Sequence, residues 1–262
     1  MQLFNSFYPH FSYMIDYASN ISQILKKSIL NLTDPKTAVS FSGGLDSTLI
    51  CHVASQKNPV GMICVGLEDS KDLSFSKEIS KEIKSPYFPV VLTSEMVLDA
   101  FSILDKILGV DDPLKIELMI PVYFVAKTAS ENGYTSVMFG AGAEELFVGY
   151  KRYYQFPLET LDEILKADYK KLPTHELFWA KKICDHFNLT PKAPFCTPQM
   201  EEVAFSIPLS DRLKDPELKK HVLREAAKLL KVPKIAIERK KLAMQYGSGL
   251  HKLLAPYIKE NY

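Results

Sequence analysis

The stretch Phe41-Ser42-Gly43-Gly44-Leu45-Asp46-Ser47-Thr48 decides how the rest of the chain reads. It follows the apolar run Ala38-Val39-Ser40 and leads into Leu49-Ile50-Cys51-His52-Val53-Ala54, which reads as a helix. A buried strand that ends in a glycine turn at a helix start makes an anion site. The free N–H groups and the positive helix end then point at one spot. Two glycines let the main chain come close to a phosphate, and the hydroxyls of Ser42 and Ser47 add donors. Asp46 is the informative residue, because a carboxylate beside a bound polyphosphate is repelled unless a divalent cation lies between them. Helix caps and tight turns use Asp and Ser with no ligand at all, so Gly-Gly or Asp-Ser alone means little. The full string after a strand means more.

The loop lacks the Gly-Lys-Ser/Thr ending of the Walker cradle, so it is a different phosphate site. It resembles the PP-loop of the ATP pyrophosphatases, enzymes that cleave ATP between the α and β phosphates. Downstream, Ser136-Val137-Met138-Phe139 reads as a strand and runs into Gly140-Ala141-Gly142-Ala143-Glu144-Glu145-Leu146-Phe147-Val148-Gly149-Tyr150. This is a second strand–glycine–helix arrangement with acids at the helix start. The helix dipole alone can account for such acids. Two arrangements of this kind in one parallel sheet let Asp46 and Glu144 face a single metal ion.

Between the two turns, residues 59–66 and 88–92 read as strands, with Pro89 marking an edge or a strand start. Residues 70–84 show a helical pattern with Leu73, Ile79 and Ile83 inward, and Ser94 is placed to cap the next helix. Pro121 reads as the first residue of a helix running to about Asn132. Strands alternating with helices at this spacing predict an α/β fold with a doubly wound parallel sheet, its ligands outside the strand carboxyl ends. Residues 1–33 read as an N-terminal helical segment, 34–156 as the ATP-binding core, and 157–262 as a helical C-terminal part packed on that core. In this last part helices are expected at 159–167, 175–187, 198–206 and 216–230, the last with Leu218, Val222, Ala226 and Leu229 inward. The basic run Arg239-Lys240-Lys241 followed by Gly247-Ser248-Gly249 fits a loop folded over a phosphate site, although basic runs are more often solvated surface.

The chain is long enough, at 262 residues, for a full core. Its 32 Lys and Arg balance 31 Asp and Glu, which argues against a broad nucleic-acid surface. No apolar run is long enough for a bilayer, and the N-terminus lacks a signal-peptide pattern, so a cytoplasmic protein with no membrane partner is expected. Cys51, Cys64, Cys184 and Cys196 are isolated from one another and read as reduced, mostly buried thiols.

The order of the motifs narrows the resemblance. Residues 42–47, Val65-Gly66-Leu67, 140–150, Lys192-Ala193-Pro194-Phe195, His221-Val222-Leu223-Arg224-Glu225 and 239–249 together resemble the synthetase domain of the asparagine synthetases and their β-lactam-forming relatives. The resemblance runs from about Asp34 to near the end of the chain and implies the PP-loop (adenine nucleotide α-hydrolase-like) fold. It also implies a biosynthetic ATP-dependent carbon–nitrogen ligase that activates a small-molecule carboxylate as an acyl-adenylate. AMP and pyrophosphate are the implied products, with ammonia or another amine as nucleophile. ATP would sit on Ser42, Gly43, Gly44 and Ser47, with Phe41, Val65, Phe139 and Gly140 near the nucleoside. Mg²⁺ would sit on Asp46 and Glu144, and Lys241 matches the catalytic lysine.

Three departures stand out. The chain begins Met1-Gln2-Leu3, without the glutaminase domain and its terminal cysteine, so free ammonia, a separate glutaminase protein or another nucleophile is expected. Ala141 replaces the acid or tyrosine of the relatives, leaving Glu145, Tyr123 or the substrate itself as candidate proton acceptors. Glu144 replaces an aspartate, Lys192 an arginine and Thr197 an aspartate. Competing readings are a PP-loop enzyme that adenylates a tRNA base and a nucleotide-binding subunit without chemistry. A homo-oligomer is compatible with all of them.

Overall fold

The computed structural model describes residues 9–110, 112–240 and 244–261. The chain enters through α1 (Pro9–Leu32), whose Ala18, Ile21, Leu25 and Ile29 fall at three- and four-residue spacing on one buried stripe. It then alternates: β1 (Thr37–Ser40), α2 (Leu45–Ala54), β2 (Gly61–Gly66), α3 (Lys71–Ser80), β3 (Tyr87–Val91), α4 (Ser94–Leu108), α5 (Pro113–Glu131) and β4 (Ser136–Met138). The rest comprises the short α6 (Ala143–Leu146), then α7 (Leu158–Lys171), α8 (Glu176–His186), β5 (Thr190–Lys192) and α9 (Pro198–Ser206). It closes with α10 (Leu209–Arg212), α11 (His221–Leu229), α12 (Lys234–Glu238), α13 (Met244–Gly247) and α14 (Leu250–Asn261).

The five strands form one parallel sheet in the order β3-β2-β1-β4-β5. Alternate residues face opposite layers, as the two-residue period requires. Val39, Met62 and Met138 pack with α1, α2, α9 and α11, whereas Ala38, Ile63, Val65 and Val137 pack with α4, α5 and α8. Pro89 lies on β3, the sheet edge, where its missing N–H costs no ladder bond on the open side. Strand order reverses between β1 and β4, so the turns that follow these two strands share the crevice where doubly wound folds bind ligands.

Four local expectations are corrected. The helical reading past residue 156 misses β5, which pairs with β4 through Ser136–Thr190, Val137–Pro191 and Met138–Lys192. Pro121 lies inside α5; the helix starts a full two turns earlier, at Pro113 behind an Asp112 cap that accepts from Leu114 N–H. Thr93, not Ser94, caps α4 by accepting from Met96 N–H. α11 starts at His221 because Lys219 and Lys220 have left-handed backbones, at φ 58° and 53°. Leu218 therefore precedes that helix and Leu229 is exposed, and the buried stripe is Val222, Leu223, Ala226 and Ala227.

Candidate active site

The first turn is built as its composition requires. Gly43 has φ 68° and lies so close to α3 that a Cβ would sit 2.8 Å from Ser76 N. α2 begins at Leu45 with no side-chain cap. The N–H groups of Leu45, Asp46 and Ser47 thus have no intrahelical acceptor and face the crevice. Ser47 Oγ accepts from Ser42 N–H at 3.3 Å, and Ser42 Oγ accepts from Gly44 N–H at 3.3 Å, which folds the loop around its own hydroxyls.

The second turn brings Glu144 opposite Asp46. Lys220 joins them: its Nζ donates to Asp46 Oδ2 and to Glu144 Oε1, each at 2.6 Å. Its side chain is 3% exposed, and burial pulls its pKa below the ordinary lysine value while Asp46 pushes it back up. Gly149 leaves the room, since a Cβ there would fall 1.8 Å from Glu144 Oε2 and 2.4 Å from Lys220 Cε. Beside Lys220, Arg224 donates to the carbonyls of Leu218, Lys219, Ile237 and Arg239, tying the segment before α11 to the segment after α12. Ser42, Asp46, Asp72, Lys220, Arg224 and Arg239 line the resulting cleft.

Two hard carboxylates facing one cation fit the way Mg²⁺ is usually held, by one or two carboxylates plus substrate phosphates. Asp46 Oδ1 is buried and has no hydrogen-bond partner among the described residues, so it remains free for such a cation. Asp46 and Glu144 are therefore the residues that would hold Mg²⁺, with Lys220 already beside them.

Glu145 turns away from the cleft. It is 4% exposed, and burial pushes its pKa up to about 7, with Glu176 adding to the rise and Lys220 opposing it. Tyr123, the other candidate proton acceptor, lies against Phe124 and Phe187 at 5.2 and 5.3 Å on the opposite face of the sheet. It is removed from the crevice. Ala141 is half-buried, and its carbonyl accepts from the Cys196 thiol at 3.4 Å. Among the residues assigned to the nucleoside, the Phe41 ring lies in the core edge-on to Tyr87, leaving only its backbone to a ligand. Val65, Phe139 and Gly140 stand at or just beyond the carboxyl ends of β2 and β4. Lys241 lies outside the described residues.

Two of the family departures find structural roles. Lys192 Nζ donates to Asp34 Oδ2 at 2.5 Å and to the Leu32 carbonyl at 2.7 Å, clamping β5 to the segment that enters β1. Thr197 caps α9 by accepting from Met200 N–H, a role aspartate fills equally well. Lys220 was missed by the sequence reading. A signal existed: a lysine immediately before a helix sits against the dipole and is disfavoured there without a carboxylate partner.

The asparagine synthase family model matches residues 21–164 and 157–261. A candidate glutamine-hydrolyzing asparagine synthetase 1 of Methanocaldococcus jannaschii is 28% identical over 278 residues, covering 92% of this chain and 51% of that protein. The glutamine-hydrolyzing asparagine synthetase of Homo sapiens is 25% identical over 243 residues, covering 87% of this chain and 43% of its own. The chain thus spans about half, or less, of the length of these relatives. Among solved structures, NMN synthetase from Francisella tularensis superposes with a TM-score of 0.43 at 13% identity, over 88% of this chain and 76% of that one. So loose a likeness bears no weight. No helix among the described residues is long and apolar enough to cross a membrane.

Proposed function

The chain belongs to the asparagine synthase family, and on that premise we propose that it uses ATP to activate a carboxylate as an acyl-adenylate, for attack by ammonia or another amine. Convergence of two acidic turns on one cation carries this reading: Lys220 Nζ lies 2.6 Å from both Asp46 and Glu144, at the point where the strand order reverses. The open N–H groups of Leu45, Asp46 and Ser47 and the hydroxyls of Ser42 and Ser47 hold phosphate oxygens. Asp46 and Glu144 would hold Mg²⁺, which would supply Lewis-acid neutralisation of phosphate charge. Lys220 keeps a positive charge at the same carboxylates and orients them toward the cleft. Lys241 stabilises charge on the α-phosphate and later on the tetrahedral adduct.

Sulfur-transfer chemistry finds less support. All four cysteines are free thiols, and burial pushes Cys64, Cys184 and Cys196 up to about 12, far from a reactive thiolate.

The test is to follow labelled ATP with a panel of carboxylic acids. AMP and pyrophosphate are the expected products, and ADP as the main product would overturn the proposal. With aspartate, ATP and glutamine, little or no asparagine is expected, and with ammonium at most slow formation, because Ala141 supplies no acid near the nucleophile. A positioned base is worth about 10²–10⁴-fold. Ala141→Glu should therefore raise the ammonium-dependent rate if aspartate fits.

A further inference from the structure

Lys220 is held by its backbone as well as by its charge. It and Lys219 have left-handed backbones, a conformation that residues with side chains keep only where the surroundings enforce it. Arg224 does so here, donating through Nε to the Lys219 carbonyl at 2.7 Å and through Nη2 to the Leu218 carbonyl. The lysine side chain then passes Gly149, where a Cβ would fall 2.4 Å from its Cε, and ends between the two acidic turns. Its Nζ takes one oxygen of each carboxylate, Asp46 Oδ2 and Glu144 Oε1. Asp46 Oδ1 is buried and has no hydrogen-bond partner among the described residues. The two oxygens of Asp46 thus serve different ends: one is committed to the lysine, the other is left for a metal. The cleft around them is not acidic. Asp46 and Asp72 line it together with Lys220, Arg224, Arg239 and Lys240. With Glu144 added, the basic side chains among the described residues still outnumber the acidic ones. A bare divalent cation entering such a place meets like charge, whereas a polyphosphate brings the opposite charge with it.

We propose that Lys220 is a positioning residue that couples the metal to the nucleotide: fixed on both carboxylates, it cancels enough of their charge that a bare divalent cation is turned away, and the metal is taken up only together with phosphate. The proposal rests on the reading that Asp46 and Glu144 hold Mg²⁺ beside a bound nucleotide. One ammonium between two carboxylates leaves a single negative charge, too little for a divalent ion by itself. That charge suffices once phosphate oxygens supply the rest, which is how Mg²⁺ is usually shared between a protein and its substrate. Lys220 does not swing aside to make way, because Arg224 fastens the backbone on which it stands. It also leaves Asp46 Oδ1 untouched, so the lysine opposes the metal through charge and not by covering its ligand. Linkage makes the effect reciprocal: phosphate strengthens metal binding by the same factor as metal strengthens phosphate binding.

The test is equilibrium dialysis of the whole chain against Mn²⁺, which reads metal on the protein without any turnover. Inorganic tripolyphosphate should raise the affinity of the unaltered chain for Mn²⁺ by about 10²-fold, and adenosine should not, because charge and not the base does the coupling. Lys220→Gln keeps a hydrogen-bond donor for the carboxylates without the charge, and Lys220→Met keeps neither. Both should bind Mn²⁺ alone about 10²-fold more tightly than the unaltered chain, and adding Asp46→Asn to Lys220→Gln should remove that gain. A merely structural lysine gives the reverse, with Mn²⁺ lost from both variants as the acidic turns separate. Weaker or unchanged Mn²⁺ binding in the two variants therefore overturns the proposal. If neither variant folds by circular dichroism, the tripolyphosphate comparison on the unaltered chain decides alone. An unaltered chain that holds Mn²⁺ equally well with and without tripolyphosphate removes the coupling and leaves the metal site standing. A chain that retains no Mn²⁺ under any of these conditions sinks the metal reading, and the coupling with it.

Discussion

The two glycine turns start from nearly the same sequence pattern and end as different devices. After β1, Ser42, Gly44 and Asp46 are half-buried, and a ten-residue helix follows with open N–H groups at its start. After β4, all four residues of α6 are buried, and the helix stops after one turn. The first turn offers donors to a ligand. The second offers one carboxylate, Glu144, and hides another, Glu145, against Glu176 and Tyr150. What separates them is the environment after the turn: a full helix aims its dipole at the crevice, whereas a single turn has little dipole to aim. Lys220 joins the two devices, so removing charges one at a time can pull them apart.

The largest effect is expected at that joint. Lys220→Met leaves two carboxylates facing each other without a cation, which should cost about 3–5 kcal/mol of stability in denaturant unfolding. Added Mg²⁺ should restore part of it, and a variant as stable as the unaltered chain without metal would show that the turns are not held ionically. Next, Asp46→Ala should lower turnover by about 10²–10³-fold while the fold survives, because Glu144 still pairs with Lys220. Turnover at the original rate would remove Asp46 from the metal site.

Glu145→Gln isolates the second turn. The pKa of Glu145 rises from 4.5 to about 7 on folding, so the native chain holds a proton that the unfolded chain releases between these values. Its contribution is complete below pH 4.5 and is lost as pH rises to about 7, on the order of 3 kcal/mol. Metal-free Glu145→Gln should lack this decline in pH-dependent unfolding; the same slope in both proteins would place Glu145 in water. The smallest effect is at Gly149, where an alanine Cβ must displace the Glu144 carboxylate and the Lys220 stem. Thermal unfolding should show a loss of about 1–3 kcal/mol, and none at all would mean the packing there is loose.

The sequence was most legible where local pattern and tertiary role agree. β1, β2 and β4 announce themselves as apolar runs before glycines, and Pro89 rightly pointed to an edge strand. α9 spans the expected residues because Thr197 caps it and Pro198 fits its first position. β5 was invisible because Thr190-Pro191-Lys192 has no apolar run and carries a proline; it is a strand because β4 offers it an open edge. Pro121 misled because a proline opening a helix and a proline inside one look alike, and only Asp112 and Pro113 upstream settle which is present.

By itself the sequence determined the parallel α/β sheet and the two acidic turns, because periodicity, glycine backbones and helix starts are local properties of the chain. Only the tertiary structure decided that Lys220 is the cation between those acids, that Glu145 is buried rather than presented, and that Lys192 clamps a strand to Asp34. It alone brought Arg239 to Asp72, 167 residues away in sequence. A lysine in a charged run looks the same whether water or two carboxylates surround it, and the difference is set by desolvation, which exists only once distant segments have packed together.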